Sequence, residues 1–183
     1  LCTENDPDNP GVILKGLPHM EVMRWNFKEQ LHASSTQNVT SGVPETTYYQ
    51  YDSQGQRVRK ITEKEAVSED LVLKREERIY ISGYELYIKH RGTNEGLKRE
   101  SLSLMDKEHR FVMVETRNGI EDGTDKRLVR YQLHNHLGSA ALELDGSPNA
   151  KVISYEEYHP YGTTAYQARN AGIKCVAKRY RYT

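Results

Sequence analysis

An antiparallel, all-β meander is the fold class this sequence predicts, and three observations predict it. A short phrase occurs three times, with a ring seven residues before a glycine and a second ring four before it: Tyr48, Tyr51 and Gly55; Tyr131, His134 and Gly138; Tyr155, Tyr158 and Gly162. Its fillers are turn residues, since a type I turn favours Asp or Asn first, Pro second and Gly fourth. Asp52 with Gly55, Asn135 with Gly138, and Pro160 with Gly162 fit that rule. The second observation is the two-residue alternation of Met23, Trp25 and Phe27 with Arg24, Asn26 and Lys28, the period of a strand. The third is a succession of about a dozen short β-rich runs with turn signals between them.

Along the chain, Leu1 to Leu17 reads as an irregular lead-in rich in Asn, Asp, Pro and Gly. The alternating run at Met23 to Phe27 is a strand, and Ala33 to Gly42 a polar loop. Thr46 to Tyr51 and Arg57 to Thr62 flank the first turn as a hairpin, on Thr, Tyr, Val and Ile content. Glu63 to Asp70 is rich in helix formers but lacks an apolar face, so a solvated hairpin tip is expected there over a helix. Arg78 to Ser82 and Tyr84 to His90 pair around Gly83; Lys98 to Met105 and Arg110 to Thr116 pair around Asp106-Lys107. Asn118 to Asp125 is a loop; Leu128 to Leu133, Ala140 to Leu144 and Lys151 to Tyr158 are strands, and Arg179 to Thr183 begins another. Rings seven and four before a glycine fall on opposite faces, so neither face is expected to be plainly the outside.

Composition narrows the function classes. The 183 residues fit one domain. Leu, Ile, Val and Phe make up about a fifth of them. The 13 tyrosines, against 2 Phe and 1 Trp, supply rings that pack on one side and reach water on the other. Lys plus Arg equals Asp plus Glu at 26 each, so no net field gathers nucleic acid or an anionic membrane. No run reaches the ~20 apolar residues of a membrane span, and the start has no signal-peptide layout. Cys2 and Cys175 lie far apart in no metal or redox spacing, and Asn38-Val39-Thr40 matches a glycosylation acceptor.

The chemistry-bearing residues each have a bland explanation. His134 and His136 would share a strand face as metal ligands can, but no third ligand is evident and Asn135 and Gly138 put them at a turn. Glu156 and Glu157 are adjacent, so on a strand they point to opposite faces and cannot flank one glycosidic bond. Ser139 lacks the G-x-S-x-G elbow. Arg57, Arg59 and Lys60, and Arg179 and Arg181 interleaved with Tyr180 and Tyr182, could contact polyanions or bases, but as strands they read as one-sided burial. The expectation is therefore no catalytic, cofactor-binding or metal-binding residue, and no enzyme. Tyrosine faces such as those of Tyr48 and Tyr155 leave a carbohydrate-binding module at a cell surface as the alternative.

Tyr49-Gln50-Tyr51-Asp52-Ser53-Gln54-Gly55-Gln56-Arg57 resembles the YD repeat of the Rhs/YD-repeat family, with Tyr-Asp, a Gly three residues on and a following Arg. Tyr131 to Ser139 resembles the opening of the Rhs repeat-associated core, and Tyr155 to Gly162 and Lys178 to Thr183 its continuation. With Met23-Arg24-Trp25, the chain is most similar within that family to the C component of bacterial insecticidal Tc toxin complexes, over about Met20 to Thr183. The resemblance implies a β-sheet strip spiralling into a shell around a C-terminal toxic polypeptide, with residues 18–127 as YD-repeat sheet and 128–183 as the start of a truncated core. It implies as partners other YD-repeat strands of the shell, from the B component or the rest of the C component, and the enclosed polypeptide, with glycans as a further possibility. It also implies secretion or cell-surface association. Thr183 precedes the region where the family's cleaving aspartates and cargo lie, so neither activity carries over; a fragment or truncated relative of the shell, near its cargo-proximal end, is expected.

Overall fold

The computed structural model describes residues 21–36, 43–64, 66, 71–107, 109–179 and 181. Twelve strands form one sheet in strict chain order, each antiparallel to the next. They are β1 (Glu21–Trp25), β2 (Leu31–Thr36), β3 (Thr46–Tyr51), β4 (Arg57–Glu63), β5 (Lys74–Ile81) and β6 (Tyr84–Lys89), followed by β7 (Lys98–Asp106), β8 (His109–Arg117), β9 (Arg127–His134), β10 (Ala140–Asp145), β11 (Val152–Tyr158) and β12 (Thr164–Arg169). The all-β meander expected from the sequence is the architecture found.

The three repeated phrases build the same hairpin turn. Gly55, Gly138 and Gly162 donate their N–H to Asp52, Asn135 and His159 at 3.2, 3.0 and 2.9 Å, and sit at φ of +82°, +84° and +83°. In the first two, the Asp52 or Asn135 side chain also accepts two backbone N–H bonds, from Gln54 and Gln56 or from Leu137 and Ser139. A type I turn closed by a left-handed residue produces a bulge on leaving the hairpin. Register shifts at Gln50/Tyr51, Ala140/Leu142 and Glu157/Tyr158 are those bulges. A fourth copy joins β1 to β2: Glu29 N bonds Asn26 O at 3.0 Å, Gln30 N bonds the Asn26 side chain at 3.1 Å, and Glu29 takes the left-handed φ of +59°.

Four expected element assignments need correction. Phe27 is not in the first strand but in this turn, 92% exposed. Leu31–Thr36, read in part as polar loop, is a strand between β1 and β3, its Ser34 paired with Thr47 and its Ser35 with Thr46 on opposite faces, so polar side chains do not interrupt the ladder. Thr164–Arg169 is a twelfth strand where none was expected. Arg179 and Arg181 are not in a strand, and residues 180, 182 and 183 of that expected strand lie outside those described. At the disputed charge run, β4 and β5 pair antiparallel, as a hairpin requires, while residues 65 and 67–70 lie outside those described. Cys2, Asn38-Val39-Thr40 and the lead-in lie outside them too.

The two faces differ sharply, against the expectation that neither would be plainly the outside. Register and side-chain alternation place Ile81, Tyr84, Leu102, Val114 and Val129 in one cross-strand row over β5–β9, and Leu104, Val112, Tyr131, Leu144 and Val152 in another over β7–β11. This is the apolar face, and it is uncovered: Leu102, Leu104 and Leu133 are about half exposed. The opposite face carries the row Tyr80, Glu85, Ser101, Glu115, and the row Gln132, Glu143, Ser154, Arg169. Most of the buried charged side chains lie on this polar face, including Glu85, Arg99, Glu115, Arg117, Arg130, Glu143 and Glu156.

Gly83 marks a close backbone approach. The two-residue turn Ser82-Gly83 joins β5 to β6, Ser103 N donates to Gly83 O at 2.7 Å, and a Cβ on Gly83 would stand 2.6 Å from Ser103 O. Gly83→Ala should cost about 1–3 kcal/mol in denaturant unfolding, the usual penalty of overpacking. Gly119→Ala, which meets nothing within 4 Å, serves as the near-neutral control. Equal stability of the two variants would contradict the close approach.

Candidate functional site

Between β6 and β11 the polar face is covered by the segment that follows β12. A turn at Asn170 to Ile173, with the Asn170 side chain accepting from Gly172 N at 2.9 Å, swings the chain off the sheet edge. It then runs without regular structure across the polar face. Its backbone meets neighbouring elements through Lys174 O, which accepts from Asp125 N (2.8 Å), and Arg181 O, which accepts from Ala140 N (2.8 Å). The other anchors are charged side chains, so we call this segment the strap.

Two ion clusters lie beneath it. In the first, Arg130 is 1% exposed and reaches Glu115 (3.1 Å), Glu143 (3.4 Å) and the strap carbonyl of Val176. Glu143 also accepts from Gln132 Nε2 (2.9 Å) and Ser154 Oγ (2.6 Å). In the second, the fully buried Glu156 takes Lys178 (3.2 Å), Arg181 (3.2 Å) and the Thr164 hydroxyl (2.7 Å). Lys178 Nζ also donates to Ala140 O, and the Tyr158 hydroxyl lies 2.9 Å from that oxygen and 3.2 Å from Glu156. Arg179 reaches further, to Glu85 (3.3 Å) on β6, Ser101 (3.3 Å) on β7 and Glu115 (3.8 Å) on β8.

Burial and pairing compete in each of these groups. Burial pushes the Glu156 carboxyl up, but hydrogen bonds from Thr164 and Lys178 and the charges of Lys178 and Arg181 outweigh it, so its pKa lies below the ordinary 4.5. Burial lowers Lys178 below 10.5 despite Glu143 and Glu156. Burial raises Tyr158, and Glu156 raises it further. A second shelter stands beside the first: the loop after β8 wraps Arg117, whose guanidinium donates to Ile120 O (2.9 Å), Thr124 O (3.1 Å) and Asn118 O (3.2 Å), while Arg99 pairs with Asp122. Asp122 is raised by burial but lowered further by Thr124, Arg99 and Arg117, for a net fall below 3.8.

The residues singled out in the sequence separate in space. His134 packs its ring 5.1 Å from His109, and His136 is exposed in the turn; among the described residues no three His, Cys, Asp or Glu side chains stand together as metal ligands. Glu156 is buried on the polar face, whereas Glu157 is exposed and accepts from the Tyr155 hydroxyl (2.8 Å), as alternation requires. Ser139 is buried, its N–H held by the Asn135 side chain. Arg57 lies 4.9 Å from the Tyr80 ring centre and 5.9 Å from that of Tyr49, and Arg59 pairs with Glu77. Tyr48 packs against His32 on β2, far along the sheet from Tyr155, which packs against Tyr166. The strap charges Lys178, Arg179 and Arg181 carry the geometry, and sequence reasoning had placed the two arginines on a strand.

Comparison with known proteins decides what such a sheet belongs to. Toxin subunit YenC2 of Yersinia entomophaga is 30% identical over 187 residues, covering 99% of this chain. Toxin subunit YenC1 of the same organism is 26% identical over 166 residues, covering 89%. The chain is a homologue of Tc toxin subunits. It spans about a fifth of the length of these curated relatives, 19% and 16%. No family model matches. Among solved structures, this Tc homologue resembles the crystal structure of TcdB2-TccC3-TEV, with a TM-score of 0.67 and 25% identity over 81% of the chain and 7% of that structure's chain. It also resembles a Photorhabdus luminescens Tc holotoxin pore carrying a TccC3 variant, with a TM-score of 0.73 and 25% identity over 88% and 7%. No helix of the described residues is long and apolar enough to cross a membrane.

Proposed function

We propose that this chain is a stretch of wall in a secreted Tc toxin complex, part of a shell that encloses a toxic polypeptide and itself performs no covalent chemistry. The observation that carries this reading is an open sheet of twelve strands among the described residues, with β1 and β12 as its edges there and uncovered apolar rows along one face over β5–β11. A sheet edge is a row of unpaired backbone groups, a template for the next strand of a larger wall. An uncovered apolar face of this extent is unusual for a monomer and suits the inside of an assembly. The charged groups of the polar face are engaged with one another and with the strap, which favours a holding role over a catalytic one. In this reading residues 18–127 supply repeat sheet and 128–183 begin the core, and the shell partners are other YD-repeat strands of the complex.

Sedimentation tests the wall reading. The isolated chain should associate in a concentration-dependent way, and the double variant Tyr166→Lys, Ala168→Lys, which puts two ammonium groups on the apolar face of the edge strand β12, should shift it toward monomer. A sharp, concentration-independent monomer for the unaltered chain, melting cooperatively, would count against it.

A further inference from the structure

We propose that the segment from Asn170 to Arg179, with Arg181, is a charge-held strap that opens as a unit from the polar face while the sheet beneath stays folded, uncovering Glu85, Glu115, Glu143 and Glu156. This goes beyond containment, because it gives the wall a moving part.

Three observations carry it. The strap is attached at one end by the compact turn at Asn170 to Ile173, a ready hinge. Beyond that turn, among the described residues, only Lys174 O and Arg181 O bond a backbone N–H of the sheet or its loops, so little has to break in the manner of a strand leaving a ladder. The remaining attachments run through charged side chains: strap cations meet carboxylates from three different strands, Glu85 on β6, Glu115 on β8 and Glu156 on β11, Arg130 of β9 donates to Val176 O, Lys178 donates to Ala140 O and Arg179 to Ser101 Oγ. Those strands are already joined to their neighbours by antiparallel ladders whose paired residues do not include the strap. Segments with few backbone bonds to their surroundings open sub-globally at lower cost than the sheet that carries them.

The strap contains its own reporter. Cys175 lines a cavity of about 170 Å³ between strap and sheet, with Ile153, Ile173, Val176 and Lys178 among its walls. In the full chain with Cys2→Ser, the rate of Cys175 alkylation by neutral N-ethylmaleimide reads strap opening, and amide exchange of β9–β11 reads the sheet. Replacing Glu156 by Gln removes one charge-assisted set of bonds and should speed alkylation about tenfold or more, with sheet exchange unchanged. Raising salt from about 0.1 M to about 1 M shortens the Debye length from ~10 to ~3 Å and should act in the same direction. Should Glu156→Gln not fold, Arg179→Gln, on the partly exposed rim, keeps the test. Alkylation that ignores both the substitutions and salt, or that accelerates only in step with exchange of β9–β11, would overturn the proposal.

Discussion

Arg130→Met should destabilise the C-terminal half of the sheet by about 3–5 kcal/mol, the cost of removing one partner from a buried ion cluster. The reason lies in what is left behind. Glu115 and Glu143 are 4% and 1% exposed, and both face the guanidinium. Without it, two carboxylates remain in a water-poor site with Arg179 and Gln132 as their nearest help, and the Val176 carbonyl loses its donor. Replacing the cluster as a whole is a different matter. Arg130→Met combined with Glu115→Gln and Glu143→Met removes the stranded charges, and hydrophobic replacement of entire buried ion groups is often neutral or stabilising. Most of the lost stability should therefore return in the triple variant. Urea unfolding followed by far-ultraviolet circular dichroism measures both. A single variant within about 0.5 kcal/mol of the unaltered chain, the range of an ordinary surface substitution, would show that the cluster is not what holds this region.

The contrast between turns and faces explains how much was legible in the residues. The turns were, because Asp52 and Asn135 act on backbone groups two to four residues away and Gly55, Gly138 and Gly162 supply the left-handed conformation locally. The fourth turn hid because Glu29 occupies that conformation in place of a glycine. The faces were not legible, because each turn carries a bulge and each bulge shifts the alternation by one. Counting by twos from one hairpin to the next therefore loses track of the side on which a ring emerges. The β2 and β12 strands were missed because a sheet with one polar face does not announce itself by hydrophobicity. Arg179 and Arg181 alternate with Tyr180 and Tyr182 as a strand would, yet their partners Glu85, Glu115 and Glu156 lie up to 94 residues away in the chain. Nothing local encodes that distance, so the alternation at Arg179 and Arg181 reads as the start of one more strand.

A fold whose buried interior is ionic should have a stability window narrow in pH, and both limits follow from the direction of each shift. Glu77, Asp122 and Glu156 sit below their ordinary values of 4.5, 3.8 and 4.5. For Glu77, as for the other two, burial raises the group, and hydrogen bonds from His90, Lys74 and Arg59 outweigh it. A depressed carboxylate contributes its stability in full above the unfolded value and loses it as pH falls through the folded value. Acidification below about 4.5 should therefore unfasten all three clusters together. His134 acts earlier. Burial, then His109, Arg110 and Lys178, hold it below 6.5, so between 6.5 and its lowered value the unfolded chain takes up a proton that the folded chain refuses. Stability should begin to fall as pH drops through 6.5, and His134→Gln should erase that first step while leaving the steeper one below 4.5. On the alkaline side Tyr87, raised to about 12 by burial and then by Glu76, keeps its proton in the fold after the unfolded chain has released it near 10. Stability should decline again as pH rises from 10 toward 12. Thermal melts across this range would show a plateau with a shallow shoulder near pH 6 and a collapse below pH 4. A melting temperature unchanged down to pH 3 would mean that the apolar face, and not the ion clusters, carries the stability.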